Sequence, residues 1–296
     1  MVHVVKRQKT EESSCVESVL FNDDSLFKIA SYLPADGLLN LALTCTRFGA
    51  PTRSSEVGDD SSLSLVEGTA RKIVHDVATE EQMSALPRYD GDNWISKYNY
   101  LQSLRKPLTF DQLVGQISYV EGNKSRVVHN NSTLDWATAF SNNTMMSGKH
   151  YVSFEAPHGD DLLVGVMRPG EAMQSAKNNP LSRDFFNHFT QRRGSVQYNN
   201  TVNCCMYRAF IGYCRLSDWG GSDRSESWDG MEGLSGVSPP YKIGMLLDLD
   251  EGTLSVYKNG RRLGVMKRGL SGHYCWAVSL VAGVQVSIKR GPVPTS

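Results

Sequence analysis

The order of apolar and polar positions divides the chain into a helical first part and a longer second part made of strands. Between residues 23 and 106, apolar residues return with the three- and four-residue spacing of one helix face. From Pro107 onward, short alternating runs are separated by Gly, Asn, Asp and Ser, which is the pattern of antiparallel strands joined by turns. The pattern predicts an α+β protein whose second part is a β-sandwich.

The clearest strand signals lie between residues 241 and 265. Asp250-Glu251-Gly252 and Asn259-Gly260 are turn sequences, and each stands between alternating apolar runs. A further hairpin is predicted where Ile117–Val120 and Ser125–Val128 flank four residues that include a glycine. These turns are spaced as an antiparallel sandwich requires.

Two short helices are predicted near the N-terminus. Asp23-Asp24-Ser25 supplies a cap and an acidic first turn for one helix, which Pro34 ends. Asp36 is predicted to cap a second helix, from Gly37 to about Phe48. This second helix is apolar on more than one face, so a partner or a third element must cover the excess.

Two further helices are predicted, from Leu63 to about Ala78 and from Asn93 to Leu104. Two interpretations of this part stay open: a spacer between the first helices and the sandwich, or a collar packed on a sandwich edge. The interval 169–202 is polar and Asn-rich, which predicts an elaborated loop. The predicted organisation is a mobile tail at 1–19, a helical motif at 20–50, a polar linker at 51–62, linker helices at 63–106 and the sandwich at 107–296.

Composition argues against several classes of function. The 31 basic residues equal the 31 acidic ones, so no global field draws the chain to nucleic acid or to a membrane surface. The N-terminus lacks the apolar core of a signal peptide, and no run of about 18 apolar residues exists. We therefore expect a cytoplasmic or nuclear protein that binds neither nucleic acid nor membranes.

The six cysteines lack the spacing of a zinc site. We expect reduced thiols, no metal and no cofactor. Cys204 and Cys205 are adjacent on a predicted strand, so one is expected to face the core and the other the solvent.

No motif in the chain indicates an enzyme, and no catalytic residue is predicted. Asp248 and Asp250 could form an acidic pair, but Asp248 is predicted on a strand and Asp250 at the opening of a turn. His150 and His273 each precede a strand tyrosine, and both are expected to be structural.

Four sequence blocks resemble strands of the SPRY domain, a β-sandwich recognition module. In chain order they are Ser147–Glu155, Val164–Pro169, Gly244–Val265 and Gly272–Leu280. The resemblance implies that loops at one end of the sandwich bind a short peptide segment of another protein. By matching positions, it implies a peptide-binding rim at Asn130, Asn131, Tyr198, Asn199, Val281, Ala282 and Gly283.

Residues 20–50 resemble the F-box, a small helical hook. The matching positions are Leu26, Ile29, Tyr32-Leu33-Pro34, Leu38, Leu41 and Thr44–Phe48. The resemblance implies docking on the Skp adaptor through Leu26, Ile29, Leu33, Pro34 and Leu38. An alternative stays open, in which an ordinary helical hairpin packs against its own downstream helices.

Together the two resemblances imply a substrate-recruiting subunit of a cullin-RING ubiquitin ligase of the SCF type. Other subunits would then transfer ubiquitin. The alternative is a freestanding interaction protein in signalling or scaffold assembly that is unconnected with ubiquitination. An unrecognised enzyme is a third possibility that no motif supports.

Overall fold

The computed structural model describes residues 22–50, 63–86, 93–130, 136–158, 161–169, 203–217, 223–281, 283–292 and 294. The described residues form two compact units. The helical unit contains the described residues up to Thr79 together with 93–103. The sandwich unit contains residues 80–86 and the described residues from Leu104 onward.

The described helices are α1 (Asp23–Ala30), α2 (Ala35–Thr44), α3 (Thr46–Gly49), α4 (Leu65–Val77), α5 (Glu80–Ser84) and α6 (Trp94–Arg105). The described strands are β1 (Phe110–Val114), β2 (Ile117–Val120), β3 (Asn123–His129), β4 (Ala137–Met145), β5 (Lys149–Ala156), β6 (Leu162–Met167), β7 (Cys204–Arg208), β8 (Cys214–Ser217), β9 (Asp223–Glu226), β10 (Tyr241–Asp248), β11 (Thr253–Lys258), β12 (Arg261–Arg268), β13 (Tyr274–Leu280) and β14 (Gln285–Arg290).

The helical unit is built around one apolar core that four helices share. Its buried members are Leu26 and Ala30 of α1, Ala35 and Leu38 of α2, Leu65, Val66 and Ala70 of α4, and Ile95 of α6. The helix α4 thus covers apolar surface that α1 and α2 cannot hide from water by themselves.

The ends of the first two helices differ from the prediction. Asn22 caps α1, because its side-chain oxygen accepts a hydrogen bond from the backbone N–H of Ser25 at 3.1 Å. The helix α2 begins at Ala35 rather than Gly37, and Pro34 rather than Asp36 is its N-cap. The carbonyl of Pro34 accepts the first intrahelical hydrogen bond. Proline lacks a backbone N–H, but a residue at the start of a helix donates no intrahelical hydrogen bond, so none is lost at this position.

The sandwich consists of two seven-stranded sheets in which all neighbouring strands are antiparallel. The first sheet has the strand order β1-β4-β13-β6-β7-β8-β9, and the second has the order β12-β11-β10-β5-β14-β3-β2. The helices followed by this pair of sheets confirm the predicted α+β class. One core cluster draws side chains from both sheets, so the sheets pack face to face.

The other face of the first sheet is also buried. It carries a second apolar cluster made of Val114, Phe140, Leu163, Met167, Cys204, Met206, Cys275 and Ala277, with Trp136 against it. Cys204 and Cys205 do point to opposite faces, yet both are fully buried. The prediction that one of them faces solvent was therefore wrong, because this sheet is covered on both sides.

Two hairpin turns set the register of the second sheet. Glu121 and Gly122 both have positive φ, 52° and 73°, as a two-residue type I′ turn requires. The predicted four-residue turn is therefore too long, and β3 already begins at Asn123. Asn259 and Gly260 form the second turn, with φ values of 50° and 84°.

The helices between residues 63 and 106 are divided between the two units. The helices α4 and α6, the latter up to Ser103, belong to the same unit as α1 and α2, because they contribute to its core. The helix α5 belongs to the sandwich unit. There the hydroxyl of Ser147 donates a hydrogen bond to the carbonyl of Leu86 at 2.6 Å.

Candidate functional site

Several connections of both sheets meet at one end of the sandwich, which we call the loop end. Leu280, the last residue of β13, pairs with the first residues of β4 and β6. The following connection, 281–284, leads into β14 of the other sheet. The β3–β4 connection and the β7–β8 turn lie at the same end. The backbone N–H of His129 donates to the carbonyl of Val284, and Arg208 pairs with Leu163.

An exposed group of apolar side chains lies at the loop end. It consists of Phe210, Ile211 and Tyr213 of the β7–β8 turn and Met231 of the segment that follows β9. Each of the four is 37–38% exposed, so all remain in contact with solvent. We call these four residues the apolar patch.

The backbone beneath the apolar patch is held firmly. Leu234 and Ser235 donate to the carbonyls of Ala209 and Phe210, at 2.7 and 3.2 Å. Gly212 has a φ of +84°, and a Cβ at this position would lie 2.7 Å from the backbone of Glu232. Only glycine therefore fits the close approach of the two segments, and the turn presents its side chains from a rigid base.

A charged pair lies at the start of the same turn. Two nitrogens of the Arg208 guanidinium contact the two carboxylate oxygens of Asp161, at 3.2 and 3.3 Å, in a bidentate arrangement. The guanidinium carbon lies 5.9 Å from the centre of the Trp136 ring. Both charged side chains are about one-third exposed, so a ligand can reach them.

A second charge network braces the segment that carries Met231. Glu232 accepts a hydrogen bond from Lys258 at 2.6 Å and pairs with Arg261. These hydrogen bonds, from Lys258 first and Arg261 second, lower the pKa of the Glu232 carboxyl. The Tyr207 hydroxyl donates to the Glu232 carbonyl, and burial raises the pKa of that phenol.

The structure places three of the seven predicted rim residues. Asn130 is exposed at the loop end, and its side-chain oxygen accepts a hydrogen bond from the Ser118 hydroxyl at 2.6 Å. Gly283 is exposed in the β13–β14 connection, whereas Val281 is buried, with 6% exposure. The other four residues lie outside the described part of the chain, namely Asn131, Tyr198, Asn199 and Ala282.

The strands that flank Tyr198 and Asn199 meet at the opposite end of the sandwich. Met167, the last residue of β6, pairs with Cys204, the first residue of β7. Met167 also pairs with Cys275, which lies near the start of β13 rather than near its loop end. The described strands thus bring Asn130, Val281 and Gly283 to one end, and the connection that contains Tyr198 starts and finishes at the other.

The two aspartates of the acidic pair both close turns at that opposite end. Asp248 accepts hydrogen bonds from the backbone N–H groups of Asp250 and Glu251, each at 3.1 Å, and pairs with Lys149 at 3.3 Å. Asp250 accepts from the N–H of Gly148 at 3.1 Å. The residue that forms the Asx-type turn is therefore Asp248, not Asp250 as predicted.

In the helical unit the predicted docking residues separate into two sets. Leu26 and Leu38 are 5% and 0% exposed and belong to the core, and Leu33 is partly buried against it. Ile29 and Pro34 are exposed. A partner surface can therefore contact Ile29 and Pro34, while Leu26 and Leu38 hold the helices in place.

Further apolar side chains of the helical unit are exposed. Leu39 and Leu43, four residues apart on α2, are 49% and 77% exposed, and Tyr32 is 79% exposed. Residues four apart lie on the same face of a helix, so Leu39 and Leu43 form one apolar stripe. We call these two residues the α2 stripe.

The chain is similar in structure to solved domains of other proteins. The SPRY domain of human HERC1 is 15% identical with a TM-score of 0.39, over 60% of this chain and 97% of that domain. The TRIM65 PSpry domain is 16% identical with a TM-score of 0.40, over 64% of this chain and 90% of that domain. No family model matches the sequence, and no curated protein matches it.

The residues of the apolar patch were not predicted, although the sequence around them is unusual for a turn. Phe210, Ile211 and Tyr213 surround Gly212 in a short connection, where polar residues are the rule. Large apolar side chains in a turn indicate either burial or contact with a partner. In the helical unit, the corresponding signal is the presence of apolar residues on more than one face of α2.

Among the described residues, no helix combines the length and the apolar character needed to cross a bilayer. Within the same residues, no three His, Cys, Asp or Glu side chains lie together as a group that could hold a metal ion.

Proposed function

We propose that this protein binds a peptide segment of a protein partner at the loop end of an SPRY-type sandwich. The observation that carries the proposal is the apolar patch, held on a rigid turn beside the Arg208–Asp161 pair. Apolar anchors beside a few charged groups are typical of surfaces that recognise peptides.

The positions of the SPRY-like sequence blocks support this proposal. The block Ser147–Glu155 coincides with β5, and Val164–Pro169 coincides with β6. Gly244–Val265 runs through β10, β11 and most of β12, and Gly272–Leu280 contains β13. The resemblance therefore lies on strands of one sandwich, in the order that it requires.

Replacing Ile211 by aspartate should weaken peptide binding about tenfold or more, because an exposed apolar anchor that the peptide would cover becomes a charge that binding must desolvate. The ligands for this test are peptides selected from a random library displayed on phage, with the full chain as bait. Their dissociation constants are then measured by isothermal titration for the wild type and the variant.

Val77→Asp is the matched control, since Val77 is 41% exposed and lies in the helical unit. This variant should bind the selected peptides as tightly as the wild type does. Circular dichroism confirms that both variants are folded. Selected peptides that bind equally well to the Ile211→Asp protein would refute the loop-end assignment.

We propose further that the helical unit docks on the Skp adaptor, which would make the protein a substrate-recruiting subunit of an SCF-type ubiquitin ligase. The α2 stripe supports this second proposal, since a pair of leucines exposed on one helix face is suited to an apolar groove. Ile29, Tyr32 and Pro34 add exposed apolar surface on α1 and in the connection to α2.

Changing Leu39 and Leu43 together to lysine should reduce capture of the Skp adaptor at least about tenfold, because two charges would replace the apolar contact. Capture is measured by pull-down of purified adaptor with the full chain. Leu33 and Pro34 are less suitable targets, since Leu33 packs against the core and Pro34 is the N-cap of α2.

Val77→Lys is the control for the added charge in this second test. It should capture the adaptor as the wild type does. If the wild type captures no adaptor, or the double variant captures as much as the wild type, the docking proposal is wrong. The freestanding interaction protein would then be the better interpretation, and the loop-end proposal would stand independently.

A further inference from the structure

The outward face of the second sheet carries a local excess of positive charge. Side chains alternate between the two faces of a strand, and the core-facing residues of this sheet are known, so the register identifies the outward ones. The outward cations at paired positions are Arg126, Lys149, Lys242, Arg262, Arg268 and Lys289. The outward carboxylates at paired positions are Glu155 and Asp248.

Each of the two carboxylates already forms an ion pair with a lysine. Lys242 lies 3.5 Å from Glu155, and Lys149 lies 3.3 Å from Asp248. Six cations against two carboxylates leave a formal excess of four positive charges at these positions, although the whole chain has a formal net charge of zero. The excess is therefore a property of this face alone.

The remaining four cations differ from Lys149 and Lys242 in this respect. Within the part of the chain that the structure describes, Arg126, Arg262, Arg268 and Lys289 make no ion pair. Arg262, Arg268 and Lys289 are exposed, and Arg126 is half-buried. Their charge is available to an anionic partner.

Two tyrosines fill the middle of the face. A Cβ at Gly244 would overlap the hydroxyl of Tyr151, so the Tyr151 side chain lies across this glycine. The Tyr151 ring meets the Tyr257 ring edge to face, with centres 5.5 Å apart and planes at 86°. Tyr257 is 5% exposed, so its ring is closed off from solvent.

The remaining four cations lie in two groups on the same face, toward opposite edges of the sheet. Arg126 and Lys289 lie on β3 and β14, and Arg262 and Arg268 lie on β12. Five strand intervals separate β3 from β12 in the sheet order. At about 4.8 Å for each interval, the separation perpendicular to the strands is about 24 Å, which an extended segment of about eight residues spans.

We propose that this face binds an acidic, extended segment of a protein partner, which crosses the strands from the Arg126 group to the Arg262 group. Charge complementarity with the four cations that make no ion pair among the described residues is the basis of this proposal. The buried Tyr257 ring offers no open platform on which a base could stack.

The probe for this proposal is a dye-labelled peptide of eight glutamates, titrated into the full chain by fluorescence anisotropy at low salt. Reversing Arg126 and Lys289 to glutamate should weaken binding about tenfold, and reversing Arg262 and Arg268 should do the same. Raising the ionic strength from about 0.05 M to 0.5 M should also weaken wild-type binding, because these charges are exposed to screening by salt.

Lys28→Glu combined with Lys106→Glu is the matched control, since both lysines are exposed and neither lies on the second sheet. This variant changes the net charge equally and should bind the probe like the wild type. Equal weakening in the control, or no weakening in either face variant, would overturn the proposal. A thymidine octanucleotide that binds more tightly than the peptide through the same residues would also overturn it.

Discussion

Replacing Trp276 by alanine should lower the free energy of unfolding by about 3–5 kcal/mol, the range found when large buried aromatic side chains are truncated. Trp276 is fully buried in β13, an interior strand of the first sheet. Its ring meets the Phe154 ring of the second sheet edge to face, with centres 6.4 Å apart. The substitution would therefore open a cavity where the two sheets meet, and urea denaturation measures the loss.

Trp276→Phe is the comparison variant for this experiment. Phenylalanine keeps a ring against Phe154 and leaves a smaller cavity, so its cost should be clearly lower than that of alanine. A loss below about 1 kcal/mol for Trp276→Ala would contradict the packing of the two sheets through this residue.

A decrease in pH should destabilise the protein through His150. This side chain is 4% exposed, and its Nε2–H donates to the Ser147 carbonyl at 2.8 Å. Burial lowers the pKa of His150 from 6.5 to about 4, outweighing the hydrogen bond to Ser147, which acts in the opposite direction. Arg290 lowers this pKa further, and Asp250 raises it by a smaller amount.

The pH range of the effect follows from the proton bound in each state. Above about pH 6.5, His150 is neutral in both the folded and the unfolded chain, and it does not reduce the stability of the folded state. Between pH 6.5 and about 4 only the unfolded chain gains the proton, so stability falls with pH. Over the whole range the loss should be about 3 kcal/mol.

Urea denaturation of the wild type and of His150→Gln at several pH values between 7.5 and 4 tests this prediction. Glutamine can still donate to the Ser147 carbonyl, but it does not titrate, so the variant should lose this part of the pH dependence. His273→Gln controls for the removal of a histidine at an exposed position. A His150→Gln protein that loses stability as steeply as the wild type would exclude His150 as the cause.

Sequence patterns predicted the strands well where local chemistry determines the structure. Asn259-Gly260 adopts the positive φ values that its sequence indicates, and the alternating runs around it form β11 and β12. The length of the 121–122 turn and the caps at Asn22 and Pro34 were missed. At each of these positions, either of two neighbouring residues could cap the helix or begin the turn, and packing decides between them.

The burial of both faces of the first sheet could not be read from alternation. All seven residues of β13 and all six of β6 are buried, so these strands have no exposed face. Such a run does not show which side faces the core. For this reason the orientation of Cys204 and Cys205 was predicted correctly, and the exposure of one of them was not.

The candidate site was only partly visible in the sequence. The resemblance to the SPRY domain pointed to Asn130 and Gly283, which the strands do bring to one end. The apolar patch was missed, because the contacts that support it join residues about 25 positions apart, such as Ala209 and Leu234. Pairing at that distance depends on tertiary structure, which a local pattern does not contain.

The positions of β13 and β14 have a consequence for the order in which the protein forms during translation. β13 lies between β4 and β6, and β14 lies between β5 and β3, so the last two strands fill interior places in both sheets. A nascent chain that has emerged only as far as β12 would therefore hold two sheets with open gaps and uncovered apolar surface. Uncovered apolar surface and unpaired strand edges of this kind make an intermediate prone to aggregation.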